Sequence, residues 1–257
     1  MEVCLFVTFE APDRALGVSS GTLPAATPAT NAETAPAALS LDALAALAEP
    51  LRHVTGWTGL CAHRPSQADD PYLKDTDAPW LVLQVYFNSL KALEAQLEPG
   101  AVLHGLLTGA APSPLPALSL SAGTQQVMSV ERIDIATAAE GAAAGPLQCT
   151  YLVAYEGSTP DVDEWHAHYR GNHVPLMVRL PGLRELELYR PLEWAGGLPL
   201  PRASAMQRNK VVFDNPAALT AALNSPVRHE MRADHEKSPP FTGRSTHYPM
   251  LTLKWVL

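Results

Sequence analysis

At 257 residues, the chain is long enough for two domains that each bury a hydrophobic core. Its net charge of -8 argues against nucleic acid as a partner, because binding phosphates requires clustered Lys and Arg. The sequence contains no apolar run of about 18 residues, the length of a membrane span. Three separated cysteines, Cys4, Cys61 and Cys149, are expected to be buried free thiols in a reducing cytoplasm.

The first half of the chain predicts an alternation of strands and helices. Residues 1–10 are apolar without the basic flank of a signal peptide and predict a first strand. Residues 11–38, rich in Ala, Pro and Thr, predict a loop, and 39–54 predict an amphipathic Leu and Ala helix. A further strand and helix follow over 85–97, and the Ala and Gly-rich residues 136–146 are expected to link the two halves.

The second half predicts the same order of elements. Strands are expected at 148–157, 183–191, 207–214 and 247–257, with helices at 161–180 and 215–234. The start of the second helix is well marked, because Asn215 can cap it and Pro216 suits its first turn. Gly182 lies where the first helix must stop.

The two halves also match in sequence at one constant shift. Residues 85–97 resemble 211–223, and at the same shift of 126 positions 63–65 falls on 189–191. We therefore predict an α+β fold of two tandem ferredoxin-like (βαββαβ) repeats, spanning 1–140 and 141–257. Each sheet would have one face without helices, so the two faces would pack together as an intramolecular dimeric α+β barrel with a cavity between sheets and helices.

Only the second repeat carries a cluster of polar and aromatic residues on its first helix, at 165–175. At about 100° per residue, one stripe of this helix contains Trp165, Tyr169, Asn172, His173 and Leu176. Pro175, together with a nearby glycine, predicts a kink beside His173. A single working site is therefore expected in the second half, with His173 as acid or base and Tyr169 and His166 orienting the substrate.

Other residues are candidates for substrate contacts or have ordinary structural explanations. The candidate substrate-binding residues are Trp165, Arg170, Asn172, Leu176, Tyr189 and Arg190. Arg190 is alternatively a surface ion-pairing residue, and the aromatic stripe is alternatively core with His173 satisfying backbone groups. Residues 234–237 are interpreted as a solvated helix end. No metal site is expected, since His166 and His168 point about 160° apart on an ideal helix.

The helix at 164–176 reads EWHAHYRGNHVPL and is followed by LPGL at 180–183. This pattern resembles the EthD family, whose first helix carries an aromatic-His start, an aromatic residue, His-x-Pro and a Pro-Gly end. The resemblance covers most of 148–257, and the first repeat lacks the motif. It implies a dimeric α+β barrel and small-molecule catabolism. Relatives with this fold include cofactor-free monooxygenases, cyclases, lyases and isomerases.

The residues and the resemblance together favour a cytoplasmic enzyme that acts without a cofactor on a small apolar or aromatic oxygenated metabolite. Its reaction class stays open between monooxygenase-like oxidoreductase and lyase, isomerase or cyclase. Two alternatives also remain: a non-catalytic binding protein that serves a partner oxygenase, and a haem-linked or flavin-linked oxidoreductase. Two copies of the tandem unit could also assemble as a homodimer.

Overall fold

The computed structural model describes residues 1–10, 41–73, 75, 77–111, 123–135 and 147–256, so the predicted loop at 11–38 and the linker at 136–146 lie outside the described residues. The described strands are β1 Val3–Phe9, β2 Trp57–Pro65, β3 Leu81–Phe87, β4 Gly123–Arg132, β5 Leu147–Ser158, β6 Glu185–Pro191, β7 Ala205–Phe213 and β8 Thr242–Val256. No helix among these residues is long and apolar enough to cross a membrane.

The strands form one closed antiparallel barrel. Its order is β1-β3-β2-β8-β5-β7-β6-β4, with β4 returning to pair with β1. The strands of each half therefore lie side by side, and the two halves join where β2 pairs with β8 and where β4 pairs with β6. The predicted combination of helices with an antiparallel barrel is confirmed.

Helices cover the outside of the barrel. The first half contributes α1 Leu41–Leu51, α2 Leu90–Leu97 and α3 Val102–Thr108, and the second contributes α4 Val162–His168, α5 Val174–Met177, α6 Pro216–Leu223 and α7 Pro226–His235. The prediction of one helix over 215–234 is wrong in one respect, because the structure has two helices there. Asn215 caps α6 as expected, accepting from the Ala218 N–H, but Pro226 brings no N–H and starts α7.

The alternation of side chains along each strand divides the core into three parts. In β1, Val3, Leu5 and Val7 face outward into a cluster beneath the first-half helices. Cys4 and Phe6 face the barrel interior, where they pack with residues of both halves. A third cluster lies beneath the second-half helices. The three cysteines are buried free thiols, as predicted.

A buried polar network closes one end of the barrel interior. Lys210 Nζ lies 3.1 Å from Glu187 Oε1, and the Tyr86 and Tyr189 hydroxyls both donate to Glu187. Burial alone would raise the pKa of Glu187, but Lys210 and Tyr189 outweigh it and lower the pKa to about 2. Because Tyr86 belongs to the first half and the other three residues to the second, the network ties the halves together.

Candidate functional site

The first helix of the second half is interrupted by a π turn at the position where a kink was predicted. Asp161 caps α4 by accepting from the N–H groups of Asp163 and Glu164. Residues Tyr169–His173 then form the π turn, in which the Val174 N–H donates to the Tyr169 carbonyl, and α5 follows. Single π turns inside α-helices are frequent at functional sites.

The π turn faces a cavity of about 120 Å³ between the barrel and the second-half helices. Its barrel wall includes Tyr151, Val153 and Tyr155, which alternate along β5 and so share one face of the strand. Its helix wall includes Tyr169, His173, Met177, Arg228, Met231 and His235. The site is therefore largely apolar and aromatic, with a few ionisable groups.

His173 is paired with Asp234 at the end of α7. The His173 Nδ1 atom lies 2.8 Å from Asp234 Oδ2, and both side chains are nearly buried, at 10% and 13% exposed. Because a carboxylate only accepts hydrogen bonds, this contact places the hydrogen on Nδ1. Nε2 then carries the free lone pair, and it makes no hydrogen bond within the described part of the chain. The pair has the arrangement of a carboxylate-oriented general base.

The environment keeps His173, Tyr155 and Tyr169 neutral. Burial lowers the pKa of His173 below its ordinary value, and the opposing contribution of Asp234 does not reverse this. Burial also raises the pKa of Tyr155 to about 12 and holds that of Tyr169 well above its usual range. At neutral pH the imidazole can accept a proton while both phenols remain donors.

Stacked and edge-on rings fix Tyr169 beside His173. The centroids of these two rings are 4.8 Å apart, and Trp165 stacks on Tyr169 at 5.1 Å. The Asn209 amide donates to the Tyr169 hydroxyl at 2.7 Å. The hydroxyl is also hydrogen-bonded to the Tyr155 side chain, and it contacts Met177 Sδ at 3.5 Å, a weak acceptor that a ligand oxygen could replace.

A loop from the first half closes the cavity. Leu73 contributes directly to the lining. Asp70 is 4% exposed and pairs with Arg228 of the cavity wall at 3.0 Å, and it also accepts from the Tyr151 hydroxyl at 2.9 Å. Asp75 accepts from the His247 N–H at 2.7 Å. The second-half cavity is therefore completed by the half that lacks the His173 motif.

The structure brings together only part of the predicted site. His173 and Tyr169 line the cavity, and Trp165 packs behind Tyr169. His166 is buried beside Trp165 but does not line the cavity, and burial lowers its pKa. Leu176 is half-buried and packs into the second-half core.

The remaining predicted contacts lie elsewhere. Arg170 is exposed and pairs with Glu131 of the first half at 2.7 Å. Asn172 is exposed and donates to the His168 carbonyl. Tyr189 is fully buried inside the barrel, and Arg190 is exposed at the end of β6. Among the described residues, no group of three His, Cys, Asp or Glu side chains converges as a metal site would.

Sequence reasoning missed the residues that complete the site from other elements. Asp234 was expected at a solvated helix end, yet its carboxylate is nearly buried against His173 and lies 3.5 Å from His168 Nε2. Sequence reasoning also missed Arg228, which lies on the same helix, α7, and lines the cavity. Tyr151 and Tyr155 could have been predicted to lie together, because residues an even number of positions apart along a strand share one face.

No family model matches the chain, and no curated protein matches its sequence. An anthrone oxidase-like protein of solved structure superposes with a TM-score of 0.57 at 13% identity, covering 99% of this chain and 92% of its own. A candidate monooxygenase from Lactobacillus acidophilus NCFM superposes with a TM-score of 0.53 at 7% identity, covering 100% and 99%. An EthD family protein from Bacillus halodurans C-125 covers 38% of this chain and 96% of its own at 20% identity, but its TM-score of 0.31 carries no argument.

The two full-length superpositions define the class of fold. Together with the eight-stranded antiparallel barrel, they place the chain in the dimeric α+β barrel fold. At these identities the likeness concerns the fold alone, because one fold hosts many activities.

Proposed function

We propose that the chain is a small-molecule enzyme in which neutral His173 removes a proton from an apolar or aromatic oxygenated substrate. The observation that carries the proposal is the 2.8 Å contact between His173 Nδ1 and Asp234, which leaves Nε2 free beside an aromatic cavity. The enzyme names of the two full-length fold neighbours are consistent with such an activity.

The proposed step is proton transfer at carbon or at a phenol. His173 Nε2 takes the proton, and the electron pair stays with the substrate as an enolate or phenolate. The Tyr169 hydroxyl donates to the oxygen that bears the new charge, in place of its weak contact with Met177. Asp234 stabilises the imidazolium that forms. No cofactor is required for this step.

The cavity limits the size of the substrate. Apolar protein cavities of about 150 Å³ hold one benzene ring. The 120 Å³ found here therefore suits a ligand of about one ring, unless the loop carrying Leu73 moves outward. A small cyclic ketone or a simple phenol fits these dimensions.

We also propose that the chain is a tandem duplication of ferredoxin-like repeats, 1–140 and 141–257, with an EthD-like second repeat. The strand order supports this, because β4-β1-β3-β2 and β8-β5-β7-β6 are equivalent arrangements. At the shift of 126 positions His63 corresponds to Tyr189, and both side chains lie fully buried in the barrel interior. The two are joined through Gln84.

The proton-transfer step can be tested without knowing the natural substrate. The probe 3-cyclohexenone, a single ring, isomerises to ultraviolet-absorbing 2-cyclohexenone when a base removes its C2 proton and the proton is returned at C4. We expect the wild-type chain to accelerate this reaction without any added cofactor and His173→Ala to lower the rate about 100-fold, a typical contribution of a general base. Absorbance of the product measures the rate.

A surface histidine supplies the matched control. His53 is exposed in the first half, and His53→Ala should retain the wild-type rate. Equal rates in wild type and His173→Ala would overturn the proposed role of His173. Saturable binding of the probe with no acceleration would instead favour the non-catalytic binding protein.

A further inference from the structure

A second cavity, of about 670 Å³, opens at the end of the barrel opposite the buried Lys210 network. The register places it there: along β7 Arg208 lies toward this mouth and Lys210 toward the closed end, and along β3 Val82 lies toward the mouth and Tyr86 toward the closed end. The cavity is lined by strands of both halves. It is large enough for a ligand of drug-like size.

The unusual group in this cavity is Arg208. Its Nε donates to Gln126 Oε1 at 3.2 Å, and its guanidinium lies 5.1 Å from the centroid of the Phe6 ring. Within the described residues it forms no ion pair, and its terminal NH2 groups donate no hydrogen bond. Arg244, at the same mouth, is by contrast paired with Asp77.

An inward-facing guanidinium without a carboxylate partner is costly. Removing an arginine from water is normally compensated by a paired acid, and Arg is rarely buried unless paired. Arg208 is partly buried, and this burial lowers the pKa of its guanidinium, which the longer-range influence of Glu156 opposes. The two free NH2 groups form a fork that fits a carboxylate.

The surrounding walls define the rest of the ligand. Phe6, Val82 and Leu152 present apolar surface, and Thr246 adds a hydroxyl at 4% exposure. A fully hydrophilic anion would leave the apolar walls uncovered, whereas a neutral apolar molecule would leave Arg208 unpaired. The combination suits a molecule with one acidic end and an apolar body.

We propose that the barrel mouth is a binding site for an apolar or aromatic carboxylate, whose acid group pairs with Arg208 and whose ring or chain packs on Phe6, Val82 and Leu152. This site is separate from the His173 cavity, which lies on the outer face of the sheet. The proposal therefore does not depend on the function proposed for His173.

Titration calorimetry with 2-naphthoate and its neutral isostere 2-naphthamide tests the proposal on the full chain. We expect the wild type to bind the carboxylate at least 10-fold more tightly than the amide. Arg208→Gln should weaken 2-naphthoate binding at least 10-fold and abolish the preference for the carboxylate. The control Arg190→Gln removes an exposed guanidinium outside both cavities and should bind as the wild type does.

A second variant covers the case in which Arg208→Gln fails to fold. Ser204 is exposed at the rim of the mouth, so Ser204→Trp should block entry without disturbing the core and should also weaken 2-naphthoate binding at least 10-fold. His173→Ala should bind 2-naphthoate unchanged, which separates this site from the His173 cavity. Absence of binding to wild type, equal binding of acid and amide, or wild-type affinity in the folded variants would overturn the proposal.

Discussion

At the level of single residues, the chemistry of the second-half cavity depends on how His173 is oriented and charged. Asp234 fixes the ring through Nδ1, and burial keeps the ring neutral at ordinary pH. The two influences oppose each other, since burial lowers the pKa of the imidazole and the carboxylate raises it. Burial is the larger of the two, so the free base is the resting form.

This balance predicts the pH dependence of the probe reaction. The active form is deprotonated His173, so the rate should fall as pH decreases, with a midpoint below the unperturbed histidine value of about 6.5. Asp234→Asn removes the contribution that raises the pKa and should move the midpoint lower still. A pH–rate profile with 3-cyclohexenone measures both. A midpoint that rises in Asp234→Asn would contradict the positioning role of Asp234.

At the level of elements, the helix carrying the site has one glycine in its π turn and a second beyond its end, and their backbones differ. Gly171 lies in the π turn, and a Cβ there would meet no atom within 4 Å. Gly182 has φ +75, in the left-handed region that L side chains rarely adopt, although it also has open space around it. The backbone conformation, and not the space around the residue, therefore decides which side chains each position tolerates.

Alanine at these two positions should have opposite effects on stability. Gly171→Ala is expected to raise the free energy of unfolding by about 0.4–1 kcal/mol by restricting the unfolded chain. Gly182→Ala is expected to lower it by about 1–2 kcal/mol because its backbone must stay left-handed. Urea unfolding measures both values. A loss of stability in Gly171→Ala would show that the π turn requires glycine.

At the level of the whole molecule, the buried network at the closed end of the barrel joins the halves. Lys210 pairs with Glu187 and donates to the Tyr86 hydroxyl at 3.1 Å across the interior. Both charges are almost completely buried, at 2% and 3% exposed. Each is therefore stabilised by the other, and Arg132 also pairs with Glu187 while Glu185 also pairs with Lys210.

Removing one charge should accordingly destabilise the chain more than removing both. Lys210→Met leaves Glu187 with the more exposed Arg132 as its cationic partner, at 3.2 Å, and is expected to cost somewhat less than the ~3–5 kcal/mol of a buried charge left wholly unpaired. Adding Glu187→Gln should recover a substantial part of that loss. Urea unfolding of the single and double variants gives the comparison, and equal stability of the two would argue against coupling between these charges.

The sequence was sufficient for features set by local spacing. Tyr169 and His173 were placed together because residues four apart share a helix face, and the barrel followed from the matching halves. Asp234 could not be placed, since its contact with His173 depends on how α7 packs against the π turn. The role of Asp70 was even harder to predict from local sequence, because Asp70 pairs with Arg228 of the opposite half. Tyr189 was misplaced because its strand face was not assigned.

Closure of the barrel also restricts how copies of this chain can assemble. Each described strand already has a neighbour on both sides, so no backbone edge is left to recruit a further strand from another molecule. Among the described residues, self-association must therefore proceed through side chains of the outer helices and connecting loops. Such contacts are easily altered by a few surface substitutions, which leaves quaternary structure free to vary while the interior stays unchanged.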